Sequence, residues 1–336
     1  MATILSSAPL SVPSTTYSKP SPRIPLFTSL PLPSSLSSSS SSSYGVTSSF
    51  VVRNDASLSP SSSPVQALAE EAVDSSPLAS SSKLVFVVGG TGGVGQLVVA
   101  SLLKRNIKSR LLLRDLEKAT KLFGKQDENS LQVVKGDTRN VEDLDPSMFE
   151  GVTHVICTTG TTAFPSQRWS GDNTPDKVDW EGVRNLISAL PSSVKRVVLV
   201  SSVGVTKPDE LPWSIMNLFG VLKYKKKGED FLRESGLPYT IIRPGRLTDG
   251  PYTSYDLNTL LKATAGERRA VVIGQGDKLV GEVSRLVVAE ACIQALDIEF
   301  TQGKAYEINS VKGDGPGSDP QKWRELFKVA ESKESK

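Results

Sequence analysis

Short apolar runs alternate along this chain with longer segments in which apolar residues recur at helical spacing. From residue 83 onward the apolar runs predict strands buried on both faces, at Leu84–Val88, Leu111–Leu113, Leu131–Val134, Val155–Thr158, Val197–Val200 and Tyr239–Ile242. The segments between them predict helices, at Val94–Lys104, Leu116–Phe123, Leu144–Phe149, Pro175–Leu190 and residues 217–235. This alternation is typical of a parallel sheet covered by helices on both faces. The predicted fold class is α/β, a doubly wound parallel sheet whose ligands lie beyond the carboxyl ends of its strands.

The last part of the chain continues the pattern in a smaller region. Its predicted elements are strands at Val271–Ile273 and Tyr306–Asn309 and helices at Ser284–Leu296 and Trp323–Phe327. Two longer connections interrupt the alternation, a polar insertion at Phe164–Thr174 and a loop at residues 203–216. We therefore predict one large domain at residues 83–330.

Residues 1–82 have a different composition, with 28 serines, many prolines and no sustained periodicity. Such a segment cannot bury enough apolar surface to offset its chain entropy, and we expect it to be disordered. It contains no acidic residue before Asp55 and few basic ones. A serine-rich, acid-poor N-terminus is typical of an organellar transit peptide, and the scarcity of arginine favours a plastid. The alternative is an ordinary low-complexity tail.

Composition argues against several other classes of function. The formal net charge of +3 is too small to indicate nucleic-acid binding, and no apolar run has the length of a transmembrane span. The two cysteines, Cys157 and Cys292, make neither a disulfide framework nor a metal ligand set. The single histidine, His154, begins an apolar run and has no acid–base partner that the sequence can name.

A glycine-rich segment between the first strand and the first helix is the main candidate for ligand binding. This glycine loop consists of Gly89, Gly90, Thr91, Gly92, Gly93, Val94 and Gly95. It fits both G-x-G-x-x-G, read from Gly90, and G-x-x-G-x-x-G, read from Gly89. In either register glycines permit a tight turn and a close approach to a pyrophosphate, which the helix N-terminus attracts. The strand–turn–helix context favours dinucleotide binding over a purely structural turn.

The residues after the second and third strands bear on which dinucleotide binds. Arg114 is the first residue after the second strand, with Asp115 beside it and Lys118 one helical turn on. An acid here would bind the ribose 2′-hydroxyl of NAD, whereas an arginine favours the 2′-phosphate of NADP. The position of Arg114 favours NADP, with Lys118 either adding charge or lying on a solvated helix face. Asp137, after the third strand, is placed to meet the adenine edge or is a turn residue.

The later strands also end in small or polar residues. These are Thr158, Thr159 and Gly160, then Ser201 and Ser202, and finally Pro244 and Gly245. Together with the glycine loop, Arg114 and Asp137, this ordered set resembles the atypical short-chain dehydrogenase/reductase family, in particular its NmrA-like plant and bacterial members. The resemblance covers about residues 83–310. It implies a Rossmann fold with a small C-terminal substrate region, NADP as cofactor, and a cofactor contact from the Pro244-Gly245 backbone.

This chain departs from the catalytic pattern of that family at one position. Active members of the superfamily carry Tyr-x-x-x-Lys on the helix after the fifth strand, where the lysine binds the nicotinamide ribose and the tyrosine transfers a proton. Alignment on Glu229 puts this lysine at Lys225 and leaves Val221 in the tyrosine position. Tyr224 points about 100° away on a helix and is a poor substitute. Lys225 is therefore either a cofactor contact or part of a solvated charge run.

The sequence is compatible with two functions. The first is an NADP-dependent reductase of the chloroplast that transfers hydride to a carbonyl or a conjugated double bond, with Lys225 and Ser202 at the reacting end. The alternative for Ser201 and Ser202 is a structural role, in which their hydroxyls form hydrogen bonds with backbone groups at the strand end. The second is a non-catalytic NADP-binding scaffold or redox sensor that works with a plastid membrane or an electron-transfer complex, which Val221 favours. The expected partners are NADP(H) and an unknown small-molecule substrate or plastid protein complex.

Overall fold

The computed structural model describes residues 83–248 and 269–334. Its strands are β1 (Val85–Val88), β2 (Ser109–Leu113), β3 (Leu131–Lys135), β4 (His154–Cys157), β5 (Arg196–Val200), β6 (Tyr239–Pro244), β7 (Arg246–Leu247), β8 (Ala270–Gly274), β9 (Glu282–Val283) and β10 (Lys304–Val311). Its helices are α1 (Gly93–Lys104), α2 (Glu117–Phe123), α3 (Gly182–Ala189), α4 (Trp213–Met216), α5 (Val221–Glu234), α6 (Arg285–Gln294) and α7 (Pro320–Glu334).

The main sheet has eight strands in the order β3-β2-β1-β4-β5-β6-β10-β8. Its pairs are parallel except for β10 with β8, which run antiparallel at one edge. The chain winds outward from β1 to β3 and then returns to β4 on the other side of β1. This reversal opens a crevice at the carboxyl ends of β1 and β4, where doubly wound sheets bind ligands. The predicted α/β fold with a doubly wound parallel sheet is confirmed.

Helices cover both faces of the sheet, and β1 shows how the two cores divide. Val85 and Val87 point to the face that α1 and α6 cover, whereas Phe86 and Val88 point to the face that α3 and α5 cover. All four side chains are at most 3% exposed. A strand buried on both sides needs apolar residues at every position, which is why β1 is a continuous apolar run.

Several predicted elements differ from the structure in extent or type. The segment predicted as a helix at Leu144–Phe149 is a 3-10 turn at Pro146–Phe149, and part of the loop at residues 203–216 forms α4. Helix α7 is longer than the helix predicted around Trp323–Phe327, since it also includes polar residues that apolar spacing does not detect. The helix predicted from residue 217 begins at Val221, since Gly220 adopts φ +78 and cannot be helical. Within the described ranges no helix is long and apolar enough to cross a membrane.

Candidate functional site

The glycine loop joins β1 to α1 with almost no space for side chains. The Gly89 carbonyl accepts a hydrogen bond from the Gly92 N–H at 2.9 Å, which closes the turn. A Cβ on Gly90 would collide with Leu111 of β2, and one on Gly95 would collide with the Gly89 carbonyl and lie 2.7 Å from Gly90 Cα. Gly89 itself has φ +81, which side chains rarely adopt. Gly95 is therefore required by the close approach of α1 to β1, Gly90 by the packing against β2, and Gly89 by its backbone conformation.

The N-terminus of α1 faces the crevice with its backbone donors uncapped by side chains. Gly92 is the N-cap, no side chain caps the helix, and its first turn contains no acid. The Thr91 carbonyl accepts from Gln96 Nε2 at 2.9 Å, while Val94 is buried. Such a terminus attracts a phosphate through free N–H groups and the helix dipole.

Arg285, at the start of α6, places a positive charge beside this loop. Its Nε is 2.7 Å from the position that a Cβ on Gly93 would occupy, and the residue is 6% exposed. Sequence reasoning missed Arg285, because it lies about 190 residues from the loop and no spacing rule connects the two. A side chain on Gly93 would therefore require Arg285 to shift away from the loop.

The carboxyl ends of β2 and β3 bring together a cluster of charged residues. Arg114 is 55% exposed, and its Nη1 donates to Asn173 Oδ1 at 2.7 Å and lies 3.8 Å from Asp137 Oδ2. Asp137 is paired closely with Arg139, whose Nη2 is 2.7 Å from Asp137 Oδ2. Burial raises the pKa of Asp137. The hydrogen bonds and charge of Arg139, with a smaller effect of Arg114, lower this pKa by more than burial raises it, so that it lies below its usual value. Lys118 is exposed, with Nζ 4.0 Å from Asp115.

The end of β4 contributes backbone and a buried ion pair. Thr158 donates its hydroxyl to the Val88 carbonyl at 3.0 Å and so ties β4 to β1. Beyond it, Lys225 Nζ donates to Asp179 Oδ1 at 2.6 Å, and the two side chains are 13% and 1% exposed. A Cβ on Gly160 would lie 2.9 Å from Lys225 Nζ, so this glycine makes room for the lysine. Thr161 donates its backbone N–H and its hydroxyl to the other Asp179 oxygen.

Lys225 thus differs from the neighbouring lysines in its environment. It lies one turn before Gly228 and Glu229, which are buried, and so occupies the inward face of α5. Lys223 and Lys227 lie on the exposed side. The interpretation of Lys225 as part of a solvated charge run is therefore wrong.

Asp179 was missed from the sequence, although a signal was present. It lies in a π-helical turn, Asp176–Glu181, that leads into α3. Its position is four residues before Val183 and seven before Leu186, both on the apolar face of the predicted helix. An acid on a buried helix face requires a cation or several donors, and Lys225 and Thr161 meet that requirement.

A small cavity adjoins the Lys225–Asp179 pair. Its volume is about 10 Å³, and its lining includes Thr159, Lys225 and Ser201. That space is close to what one water molecule needs. The Ser201 hydroxyl is buried without a hydrogen-bond partner, whereas Ser202 donates its hydroxyl to the Val203 carbonyl at 3.0 Å. Of the two serines, Ser201 is therefore the one with an available hydroxyl at this site.

Val221 lies in an apolar cluster beside the site. It is 4% exposed and packs with Val205 and Leu222, against Ala163 and Trp213. No proton donor occupies the position that the family pattern gives to tyrosine.

The segments that follow β5 and β6 are held in place by hydrogen bonds from their backbone N–H groups. Gly245 donates its N–H to the Ile308 carbonyl at 3.0 Å, and the Pro244 carbonyl accepts from the Val203 N–H at 3.2 Å. Asp277 accepts from the backbone of Gly204 at 2.7 Å and so holds the loop after β5. The segment after β7, residues 249–268, which includes Tyr252 and Tyr255, lies outside the described residues.

Residues 89–299 match the protein family described as NAD(P)H-binding. This chain belongs to that NAD(P)H-binding family. The site fits the ligand, because the N-terminus of α1 presents backbone N–H groups that no side chain caps, and Ser201 offers a buried hydroxyl with no partner. The expected relationship to atypical short-chain dehydrogenases/reductases is confirmed.

The chain is also similar to individual proteins. An uncharacterized chloroplastic protein of Arabidopsis thaliana is 31% identical over 264 residues, which cover 72% of this chain and 74% of the relative. Sanguinarine reductase of Eschscholzia californica is 30% identical over 285 residues, covering 74% of this chain and 96% of the relative. The solved structure of the oxidoreductase ylbE from Lactococcus lactis is 20% identical, covers 74% of this chain and 97% of its own, and gives a TM-score of 0.55. This last similarity supports the fold alone.

Proposed function

We propose that this protein binds NADP(H) across the carboxyl edge of its sheet and reduces a carbonyl or a conjugated double bond of a small molecule. The observation that carries the choice of NADP is Arg114, the first residue after β2, whose side chain is 55% exposed. An arginine there suits a 2′-phosphate. Reduction as the reaction class is supported by the name of sanguinarine reductase, which aligns over 96% of its length.

Each part of the cofactor has candidate residues in this arrangement. The adenosine end would be held by Arg114, with Lys118 adding positive charge, and the pyrophosphate by the backbone of the glycine loop at the start of α1. The nicotinamide end would be held by Lys225, by the backbone of Thr159 and Gly160, and by the Pro244-Gly245 turn.

The residues around the cavity also define the available chemistry. Bound NADPH supplies a hydride. Lys225, oriented by Asp179, supplies donors for a ribose hydroxyl, and Ser201 supplies a hydroxyl for a substrate oxygen. Because Val221 cannot transfer a proton, the proton of the reduction comes from water in this proposal.

A titration of the full-length chain with NADPH and with NADH tests the cofactor assignment. We expect NADPH to bind more tightly, as measured by calorimetry or by quenching of protein fluorescence. Arg114→Ala should reduce the ratio of the two affinities by about tenfold, because one charged hydrogen bond to the phosphate is lost. Equal affinities in the wild type would contradict the assignment to NADP.

A second candidate function is that of a non-catalytic NADP-binding scaffold or redox sensor. The observation that favours it is Val221, which is buried among apolar side chains where a proton donor would be required. The two functions are separated by measuring NADPH oxidation against a panel of carbonyl, quinone and enone compounds. Turnover of a compound that Ser201→Ala slows without changing the NADPH affinity would support the reductase. Binding of NADPH without turnover of any class in the panel would favour the scaffold.

We place this activity in the plastid. The serine-rich, acid-poor composition of residues 1–82 supports it, as does the chloroplastic name of the relative from Arabidopsis thaliana. A fluorescent fusion to residues 1–82 should enter chloroplasts of a leaf cell, and a fusion lacking them should not. Cytosolic fluorescence of both fusions would contradict the assignment.

A further inference from the structure

Asp137 is an acid at the cofactor edge of the sheet whose oxygens are already engaged by Arg139. Arg139 Nε donates to the two carboxylate oxygens at 3.1 and 3.0 Å, and the Arg139 backbone N–H donates to Oδ1 at 3.0 Å. The Asp137 side chain is only 14% exposed. The charge of Asp137 is thus balanced by Arg139, which lies only two residues further along the chain.

This acid lies next to Arg114, the cation that the proposed function assigns to the 2′-phosphate. Arg114 Nη1 is 3.8 Å from Asp137 Oδ2. A carboxylate at that distance cancels much of the positive potential of a guanidinium. Arg114 and Asp137 alone would present a neutral pair to a phosphate. With Arg139 added, the three groups retain one positive charge.

Arg139 exerts this effect without pointing a donor at the cofactor edge. Its Nε and Nη2 are directed at Asp137, and its Nη1 donates to the Gly171 carbonyl of the insertion at 2.6 Å. Arg114 is anchored on the same insertion through Asn173. Arg139 is therefore a positioning residue, which acts on a ligand through the charge of Asp137.

We propose that Arg139 determines the specificity of this site, by neutralising Asp137 so that a 2′-phosphate can bind beside it. The inference rests on the proposed binding of NADP(H) and adds the residue that makes this binding compatible with an acid 3.8 Å from Arg114. Asp137 then no longer repels the phosphate, and selection against NADH depends on Arg139 as well as on Arg114.

The adenosine end can be tested alone, with 2′,5′-ADP and 5′-ADP as probes and calorimetry of the full-length chain as the readout. Arg139→Gln should weaken 2′,5′-ADP binding by about tenfold and change 5′-ADP binding by less than about threefold, because only the first probe carries the 2′-phosphate. The double variant Arg139→Gln/Asp137→Asn removes the acid as well and should return 2′,5′-ADP affinity to within about threefold of the wild type. Lys121→Gln, on the exposed face of α2, removes one positive charge elsewhere and should leave the selectivity unchanged.

The outcomes separate the inference from the proposed function. Equal wild-type affinities for the two probes would overturn NADP binding, and the inference with it. A wild-type preference that survives Arg139→Gln, or that the double variant does not regain, would overturn the inference alone. If Arg139→Gln does not fold, Asp137→Asn by itself decides. Because Arg139 already neutralises Asp137, this variant should change the preference for 2′,5′-ADP by less than about threefold, and a larger rise would refute the role of Arg139.

Discussion

At the scale of single residues, the candidate site depends on charges that are buried in pairs. Lys225 and Asp179 come from helical segments on the same face of the sheet. Each neutralises the charge of the other, which would otherwise be buried without a partner. Removing one member of a buried pair is strongly destabilising, whereas removing both costs much less. The pair therefore has a structural role in addition to any contact with the cofactor.

These two roles can be separated with one set of variants. We expect Lys225→Met to lower the free energy of unfolding by about 2 to 4 kcal/mol, since Asp179 is left as a buried anion. Lys225→Met/Asp179→Asn should recover most of that stability. If Lys225 contacts the cofactor, both variants should bind NADPH about tenfold more weakly than the wild type, because one charge-assisted hydrogen bond is missing.

Urea unfolding and NADPH titration of the same preparations measure the two effects. Lys223→Met removes a neighbouring exposed lysine and serves as the control. Recovery of NADPH affinity together with stability in the double variant would assign Lys225 a purely structural role.

At the scale of elements, the junction between β1 and α1 is the most tightly constrained part of the site. Gly95→Ala places a methyl group against the Gly89 carbonyl and 2.7 Å from Gly90 Cα, which are backbone atoms that cannot rotate away. Gly92→Ala meets one atom at 3.2 Å, at an ordinary φ of −78. The two alanines therefore differ mainly in the strain that they impose on the same loop.

We expect Gly95→Ala to destabilise the fold by about 2 kcal/mol or more and to abolish measurable NADPH binding, because α1 must shift away from the loop. Gly92→Ala should cost less than about 1 kcal/mol and should weaken binding by a smaller factor. Thermal unfolding and calorimetry give both quantities. The reverse order of the two variants would contradict the description of the loop.

The π-helical turn before α3 illustrates where prediction at this scale ends. The apolar spacing of Val183, Leu186 and Ile187 predicted the helix and its buried face. Asp179, which lies in the π-turn, bonds to Thr161 and Lys225, which lie 18 and 46 residues away in sequence. Local periodicity contains no information about such partners.

At the scale of the whole molecule, the single histidine makes stability depend on pH. His154 is 8% exposed, and burial, with the nearby charge of Lys83, lowers its pKa to about 4. In the unfolded chain the same group takes up a proton near pH 6.5. Between these values the unfolded state binds more protons, so the free energy of unfolding falls as the pH falls.

We expect this linkage to remove about 3 kcal/mol between pH 6.5 and 4, and His154→Gln to abolish that part of the pH dependence. Urea unfolding at a series of pH values measures it. Asp137, with a lowered pKa, adds a loss of stability at more acidic pH in both proteins. An identical slope in the two proteins between pH 6.5 and 4 would contradict the assignment to His154.

Much of the sheet was predictable from sequence, because a strand buried on both faces must be apolar at every position. The glycine loop was predictable for a similar reason, since its spacing reflects a backbone constraint within a few residues. Arg139, Asp179 and Arg285 were not, because each acquires its role from a partner that only the folded chain brings close. Ser201 and Ser202 could not be distinguished from sequence, since the direction of each hydroxyl depends on the end of β5.

The packing of Val221 has a consequence for how the chain could change. A phenol ring in its place would require space that Val205, Leu222 and Trp213 already fill, so a lone Val221→Tyr exchange would create an overpacked cluster before it created a proton donor. Re-engineering of such chemistry would need compensating reductions in size around it.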